Sequence, residues 1–355
     1  MAGAVLPVKR GLLERLAEGP VVCAEGYLFE LERRGYLQAG AYVPEAVLDH
    51  PDVVRQLHRE FVRAGSDIVE AFTYYGHREK MRLIGKEHLL EPLNRQAIAI
   101  AKEVAEETEG EKPLVAGNIS NTNLYAPDDP KTGAVIRGMF EEQVGWAVEL
   151  GVDMIIAETI SYLGEALIAL EVIKQTGLPS VVTLSLHRED VLRDGDTVGE
   201  GCRKLEDAGA DVVGLNCQRG PRSLLPFVKQ VREAVSCHVA ALPVPYRTDM
   251  AHPTFQSLTD GACDCIPDGR PFPVALDPFT CNRYEIGEFA REAYDMGVRY
   301  LGICCGNGPH HTRQMAEALG RRPPASKYSP DMSKHFAFGT DDSLRAHNIE
   351  YADKL

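Results

Sequence analysis

The chain has 355 residues, 44% of them apolar and 25% charged, with 32 Gly, 22 Pro and a single Trp; this balance excludes disordered and collagenous classes and implies a sizeable core. Thirty-eight Lys and Arg stand against 52 Asp and Glu, a formal charge of −14, and such an acidic surface disfavours nucleic acid and anionic lipid as partners. No long apolar run suited to a membrane occurs, nor a basic segment followed by an apolar stretch at the start, so a soluble, cytoplasmic protein is expected.

In chain order the predicted strands are PVVCAEG (20–26), DIVEAF (67–72), PLVAGNIS (113–120), DMIIAE (153–158), SVVTLSL (180–186), DVVGLNC (211–217), HVAALPVPY (238–246) and YLGICC (300–305). All are near-continuously apolar, as expected of parallel strands buried on both faces. Gly65, Gly151, Gly177, Gly209 and Gly297 each stand just before one of them, where glycine supplies the left-handed cap that ends a helix. Between the strands, segments such as PDVVRQLHREFVRAG, IRGMFEEQVGWAVELG and EIGEFAREAYDMG carry apolar residues at helical spacing. Eight strand and helix alternations predict a closed (β/α)8 TIM barrel of the α/β class. An open doubly wound sheet is the competing arrangement, but no GxGxxG follows the first strand. The barrel is expected over residues 1–319, with 247–284 a long loop at its catalytic end. Residues 320–355 would be a C-terminal extension, starting from a Pro pair and too polar for a core of its own: an oligomerisation arm or a solvated tail.

Nine cysteines (Cys23, Cys202, Cys217, Cys237, Cys263, Cys265, Cys281, Cys304 and Cys305) make a poor disulfide framework, and reduced thiols are expected. In a TIM barrel the C-terminal strand ends face the active site. There the sequence places Glu25-Gly26-Tyr27, Phe72-Thr73-Tyr74-Tyr75, Glu158-Thr159, Asn216-Cys217 and Cys304-Cys305-Gly306. Buried Cys is a common small core residue, but three at the mouths of strands six and eight suggest zinc with one position open for a thiol substrate. Cys263-Asp264-Cys265 is a weaker candidate for a metal, and His310-His311 read as capping and packing residues. Tyr42, Phe72, Tyr74 and Tyr75 are core aromatics or a wall for a cationic ligand, and Glu158 is suited to a substrate amino group.

The segments GLNC (214–217), GICCG (302–306) and HPDVVRQLHREFVRAGSDIVEAFTYY (50–75) resemble the betaine-homocysteine S-methyltransferases, within the zinc-dependent homocysteine S-methyltransferases. The resemblance extends through LERRGYLQAG and FAREAYDMGVRYLG, and weakly into PPASKY of the tail. It implies a (β/α)8 barrel, Zn2+ held by Cys217, Cys304 and Cys305, homocysteine as thiol acceptor, and an onium methyl donor such as glycine betaine. It also implies that Glu158 takes the homocysteine amino group, that Tyr75 and Tyr42 contact the donor, the latter where the betaine enzymes have Trp, and that Asp277 stands in place of a Glu near the donor. The tail resembles the start of a dimerisation arm, implying a homo-oligomer. Where the family has Asp-Gly-Gly this chain has Ala24-Glu25-Gly26, and Thr159 replaces a Tyr that can occupy the open zinc position. The implied mechanism is direct SN2 transfer giving methionine, with Glu158 and Glu25 as the catalytic carboxylates and Gly26, Tyr42, Phe72, Tyr75, Thr159 and Asp277 around the substrates. The competing readings are a methyltransferase of the same fold with a different thiol acceptor, one served by a separate corrinoid protein, and a non-catalytic zinc or thiol-binding barrel. A Schiff-base lyase would need a Lys at a strand end, and none of the eight has one.

Overall fold

A computed structural model describes residues 9–261 and 265–355. Eight parallel strands close on themselves in sequential order: β1 (Val21–Ala24), β2 (Ile68–Glu70), β3 (Leu114–Ser120), β4 (Met154–Ile160), β5 (Ser180–Leu184), β6 (Val212–Asn216), β7 (His238–Leu242) and β8 (Tyr300–Ile303). β1 and β8 seal the barrel in the register Cys23 opposite Gly302. This is the expected TIM barrel, and the five predicted capping glycines all adopt left-handed φ values, from 71° at Gly151 to 115° at Gly65.

Side-chain parity divides the core into two layers. Val21, Cys23, Ile68, Leu114, Ala116, Met154, Ile156, Val181, Val212 and Tyr300 fill the barrel interior, whereas Val22, Val69, Val115, Ile155, Val213 and Leu301 face the helices. The short helix Leu12–Glu18 adds Leu12 and Leu16 to the interior layer, at its N-terminal end. A core of this kind is a filled interior and not a pore, so ligands are left with the C-terminal mouth.

The connection between β7 and β8 carries short 3₁₀ turns at Phe255–Ser257, Pro267–Gly269 and Asp277–Phe279. Among the described residues seven cysteines are free thiols, as expected, while Cys265 is disulfide-bonded. Cys263 and Asp264 lie outside the described residues, so the weaker metal candidate they form with Cys265 does too. Beyond residue 320 the chain is held at its start by the Arg321–Asp67 ion pair at 2.5 Å. It then runs over the surface through the turn Pro324–Tyr328 and leaves Tyr328, Phe336, Phe338 and Tyr351 exposed.

Candidate active site and metal centre

The two-residue period of a strand dictates what stands at the barrel mouth. With Val21 and Cys23 pointing inward, the next inward position is Glu25; after Ile68 it is Glu70. By the same count β3 presents Asn118, β4 Glu158, β6 Asn216 and β8 Cys304. All six are buried. They form one polar layer above the apolar interior.

Within that layer two amides bridge three carboxyls. The Asn118 Nδ2 group donates to Glu158 Oε1 at 2.7 Å and also to Glu70 Oε1. The Asn216 Nδ2 group lies 3.0 Å from Glu158 Oε2, 3.3 Å from Glu25 Oε2 and 2.9 Å from Thr159 Oγ1, while its Oδ1 accepts from the Thr159 backbone N–H at 2.9 Å. Among the described residues Glu25 Oε1 and Asn118 Oδ1 have no hydrogen-bond partner. Burial raises Glu25 and Glu70 well above the usual carboxylate range, and the neighbouring Glu158 charge adds to both shifts. Burial also pushes Glu158 up to about 7, against the hydrogen bond from Asn118, with the Cys217 charge adding to the rise. A buried layer so rich in acid is complementary to a cationic ligand.

The three cysteines stand beside it. Cys217 Sγ is 3.7 Å from Cys305 Sγ, Cys304 Sγ is 3.9 Å from Cys305 Sγ, and all three sulfurs lie within 4.8 Å of one another. Two sulfurs bound to zinc at about 2.3 Å with a tetrahedral angle would be about 3.8 Å apart. The residues therefore fit a three-cysteine site with one open position. Hydrogen bonds with Cys304 and Cys305 hold the Cys217 thiol well below its ordinary range, whereas burial raises Cys304 and the hydrogen bond with Cys217 raises Cys305.

Backbone conformation places these groups at some cost. Tyr75, Thr159, Cys217 and Gln218 all hold φ between 59° and 60°, a region costing about 1–3 kcal/mol for a residue with a side chain. Such strain is characteristic of functional sites. Gly26, at φ 84°, backs directly onto β8: a Cβ there would fall 2.4 Å from the Cys304 carbonyl oxygen. Only glycine permits that approach.

The expected site residues divide into groups. Gly26, Phe72, Glu158, Cys304 and Cys305 line one cavity, together with Glu70, Asn118 and Tyr74. Tyr75 and Thr159 line a second, which shares Tyr74 with the first. Glu25 and Cys217 meet these residues through the contacts above. Tyr42 stacks on Phe29 at 6.1 Å and lines a groove with Tyr36 and Lys86; burial first, then the Glu32 and Cys305 charges, raises its hydroxyl pKa. Asp277 is exposed in its turn and lines neither cavity. His311 is buried, taking the Gly308 N–H on Nδ1 and facing the Cys281 carbonyl with Nε2 at 3.1 Å, away from the thiols. Glu70, Asn118 and the bridging role of Asn216 escaped sequence reasoning. Counting alternate residues from Ile68 or Leu114 would have found the first two.

Residues 23–319 match the profile of the family described as homocysteine S-methyltransferase. Betaine--homocysteine S-methyltransferase 1 of Xenopus tropicalis is 38% identical over 94% of this chain and 80% of its own length. S-methylmethionine--homocysteine S-methyltransferase BHMT2 of Rattus norvegicus is 39% identical over 90% and 85%. Among solved structures, the metallated form of the homocysteine methyltransferase MmuM from Escherichia coli superposes with a TM-score of 0.67 and 15% identity, covering 86% of this chain and 99% of that one, a likeness of fold. With its barrel, its three converging thiols and relatives of this identity along nearly its whole length, the chain belongs to the homocysteine S-methyltransferase family.

Proposed function

We propose that the protein moves a methyl group from an onium donor, glycine betaine or a related ammonium or sulfonium compound, to homocysteine, giving methionine. The observation that carries this reading is the juxtaposition of three thiols at tetrahedral spacing with a buried carboxyl layer. Cys217, Cys304 and Cys305 would hold Zn2+, whose charge stabilises a substrate thiolate at neutral pH. The carboxyls supply what the acceptor's other end needs: Glu158, oriented by Asn118 and Asn216, and Glu25 beside it take the ammonium group. Phe72, Tyr74 and Tyr75 offer ring faces to the donor's cationic head. Sulfur attacks the methyl carbon in line, the bond from that carbon to nitrogen or sulfur breaks, and its electron pair leaves with the donor as a neutral amine or sulfide. No proton has to reach the leaving group. The rate gain is that of placement and a ready nucleophile.

The two curated relatives are named for two donors of this kind, betaine and S-methylmethionine, which supports an onium donor and leaves its identity to experiment. Seven free thiols accord with a cytoplasmic location. The exposed aromatics after residue 320 are suited to an arm packed on a second copy, and a homo-oligomer is proposed on that ground. Replacing Cys217 by Ala tests the metal and the reaction together. Both zinc retention and turnover should be lost, and a zinc-free variant of full activity would refute the mechanism.

A further inference from the structure

The second cavity, of about 250 Å³, lies among the segments that follow β3, β4 and β5. Its inner wall is Tyr74, Tyr75, Thr159 and Gln218, and Gln218 directly follows Cys217, so this wall borders the thiols. Gln218 is only 8% exposed, and its Oε1 has no hydrogen-bond partner among the described residues.

The outer wall carries positive charge. The Arg193 guanidinium stacks 4.6 Å above the Tyr162 ring and, among the described residues, enters no ion pair or side-chain hydrogen bond. His187 stands beside it, its Nε2 2.8 Å from Ser161 Oγ. The carboxyl that lines the cavity, Glu165, is already committed to Thr122, accepting from its backbone N–H at 2.8 Å and its hydroxyl at 2.5 Å. From the thiols outward, a bound molecule thus meets aromatic faces first and then the Arg193 guanidinium, whose charge also reaches Glu165. That order is complementary to a zwitterion with an onium head and an anionic tail.

We propose that this cavity binds the carboxylate of a zwitterionic methyl donor, with Arg193 as its counter-charge beside the aromatic wall. The inference rests on the methyl-transfer reading above and deepens it, because it places the donor tail on the β4–β5 side of the mouth and makes a carboxylate part of donor selection. Planar guanidinium groups pair with carboxylates in two parallel hydrogen bonds.

The test uses the zinc-loaded full chain with homocysteine and donors matched in pairs: glycine betaine against tetramethylammonium, and dimethylsulfoniopropionate against trimethylsulfonium. The quantity read is the ratio of kcat/KM with and without the carboxylate. In Arg193→Gln this ratio should fall about tenfold or more, carried by the KM of the carboxylate donor, and Arg193→Lys should restore part of it. A ratio changed by less than twofold in both pairs overturns the inference while leaving the methyl-transfer reading intact. If the parent protein forms no methionine with any donor, that reading fails, and calorimetric titration with glycine betaine decides the inference. Binding to the parent that Arg193→Gln weakens upholds the subsite; equal affinity, or none in the parent, overturns it.

Discussion

The buried carboxyl layer predicts an unusual pH dependence for the metal-free protein. Glu158 is held at about 7 by burial, against an ordinary value near 4.3. A carboxyl whose folded pKa is raised binds its proton longer in the native state. Its favourable contribution is complete below the unfolded value and is lost as pH rises through the folded one. For Glu158 alone the loss between pH 4.5 and 7 is about 3 kcal/mol; Glu25 and Glu70, also raised, act in the same direction. Buried histidines work oppositely: burial lowers His58 and His311 to about 3 and His77 to about 4, so they withdraw stability as pH falls below about 6.5. Absolute melting curves therefore mix two opposing trends. The difference between the parent and Glu158→Gln separates them, since the histidines are common to both. For a chain of 355 residues, unfolding entropy of about 2 cal/mol/K per residue converts 3 kcal/mol into roughly 4 °C of Tm. Chelator-stripped protein melted from pH 5 to 8 should show the Gln variant gaining on the parent by about that amount. A difference that stays constant across the range would refute the argument that Glu158 is buried without a compensating cation.

Glu70→Gln removes one of the three carboxyls and keeps a partner for Asn118; the acceptor KM should rise about tenfold with zinc content unchanged, as initial rates and metal analysis would show. Gly26→Ala would drive a methyl group into the Cys304 carbonyl from a left-handed backbone position, and competition with a chromophoric chelator should reveal zinc affinity at least tenfold weaker. Asn216→Leu deprives Glu158 and Thr159 of their shared partner. It should lower Tm by several degrees, about 2–4 kcal/mol, and depress kcat with homocysteine; an unchanged Tm would contradict the bridging role.

The barrel was legible because its signals are local. Gly65, Gly151, Gly177, Gly209 and Gly297 had to occupy left-handed caps, and the strands after them are largely apolar because helices cover one face and the barrel interior the other. The thiols were legible because Cys217 and the Cys304-Cys305 pair sit at the ends of recognisable strands. The carboxyl layer was only half visible. Glu70 and Asn118 interrupt apolar runs and look like ordinary polar residues until the inward parity of Ile68 and Leu114 is fixed. Arg193 and Gln218 were out of reach for another reason. One lies on a loop and the other just beyond its strand, where the path of the chain and not strand register decides what faces a cavity. Tyr42 and Asp277 show the converse. Resemblance puts them near the donor, and both lie on connections, where Tyr42 lines a groove with its hydroxyl within reach of the Cys305 charge and Asp277 is exposed.

The most direct test of methyl transfer follows the methyl group itself. Zinc-loaded, reduced protein is incubated with homocysteine and, in separate reactions, glycine betaine or dimethylsulfoniopropionate carrying deuterated methyl groups, and the product is read by mass spectrometry. The account predicts methionine heavier by one trideuterated methyl group in at least one reaction, absent in Cys217→Ala. Zinc retained with no labelled methionine from any donor would contradict it.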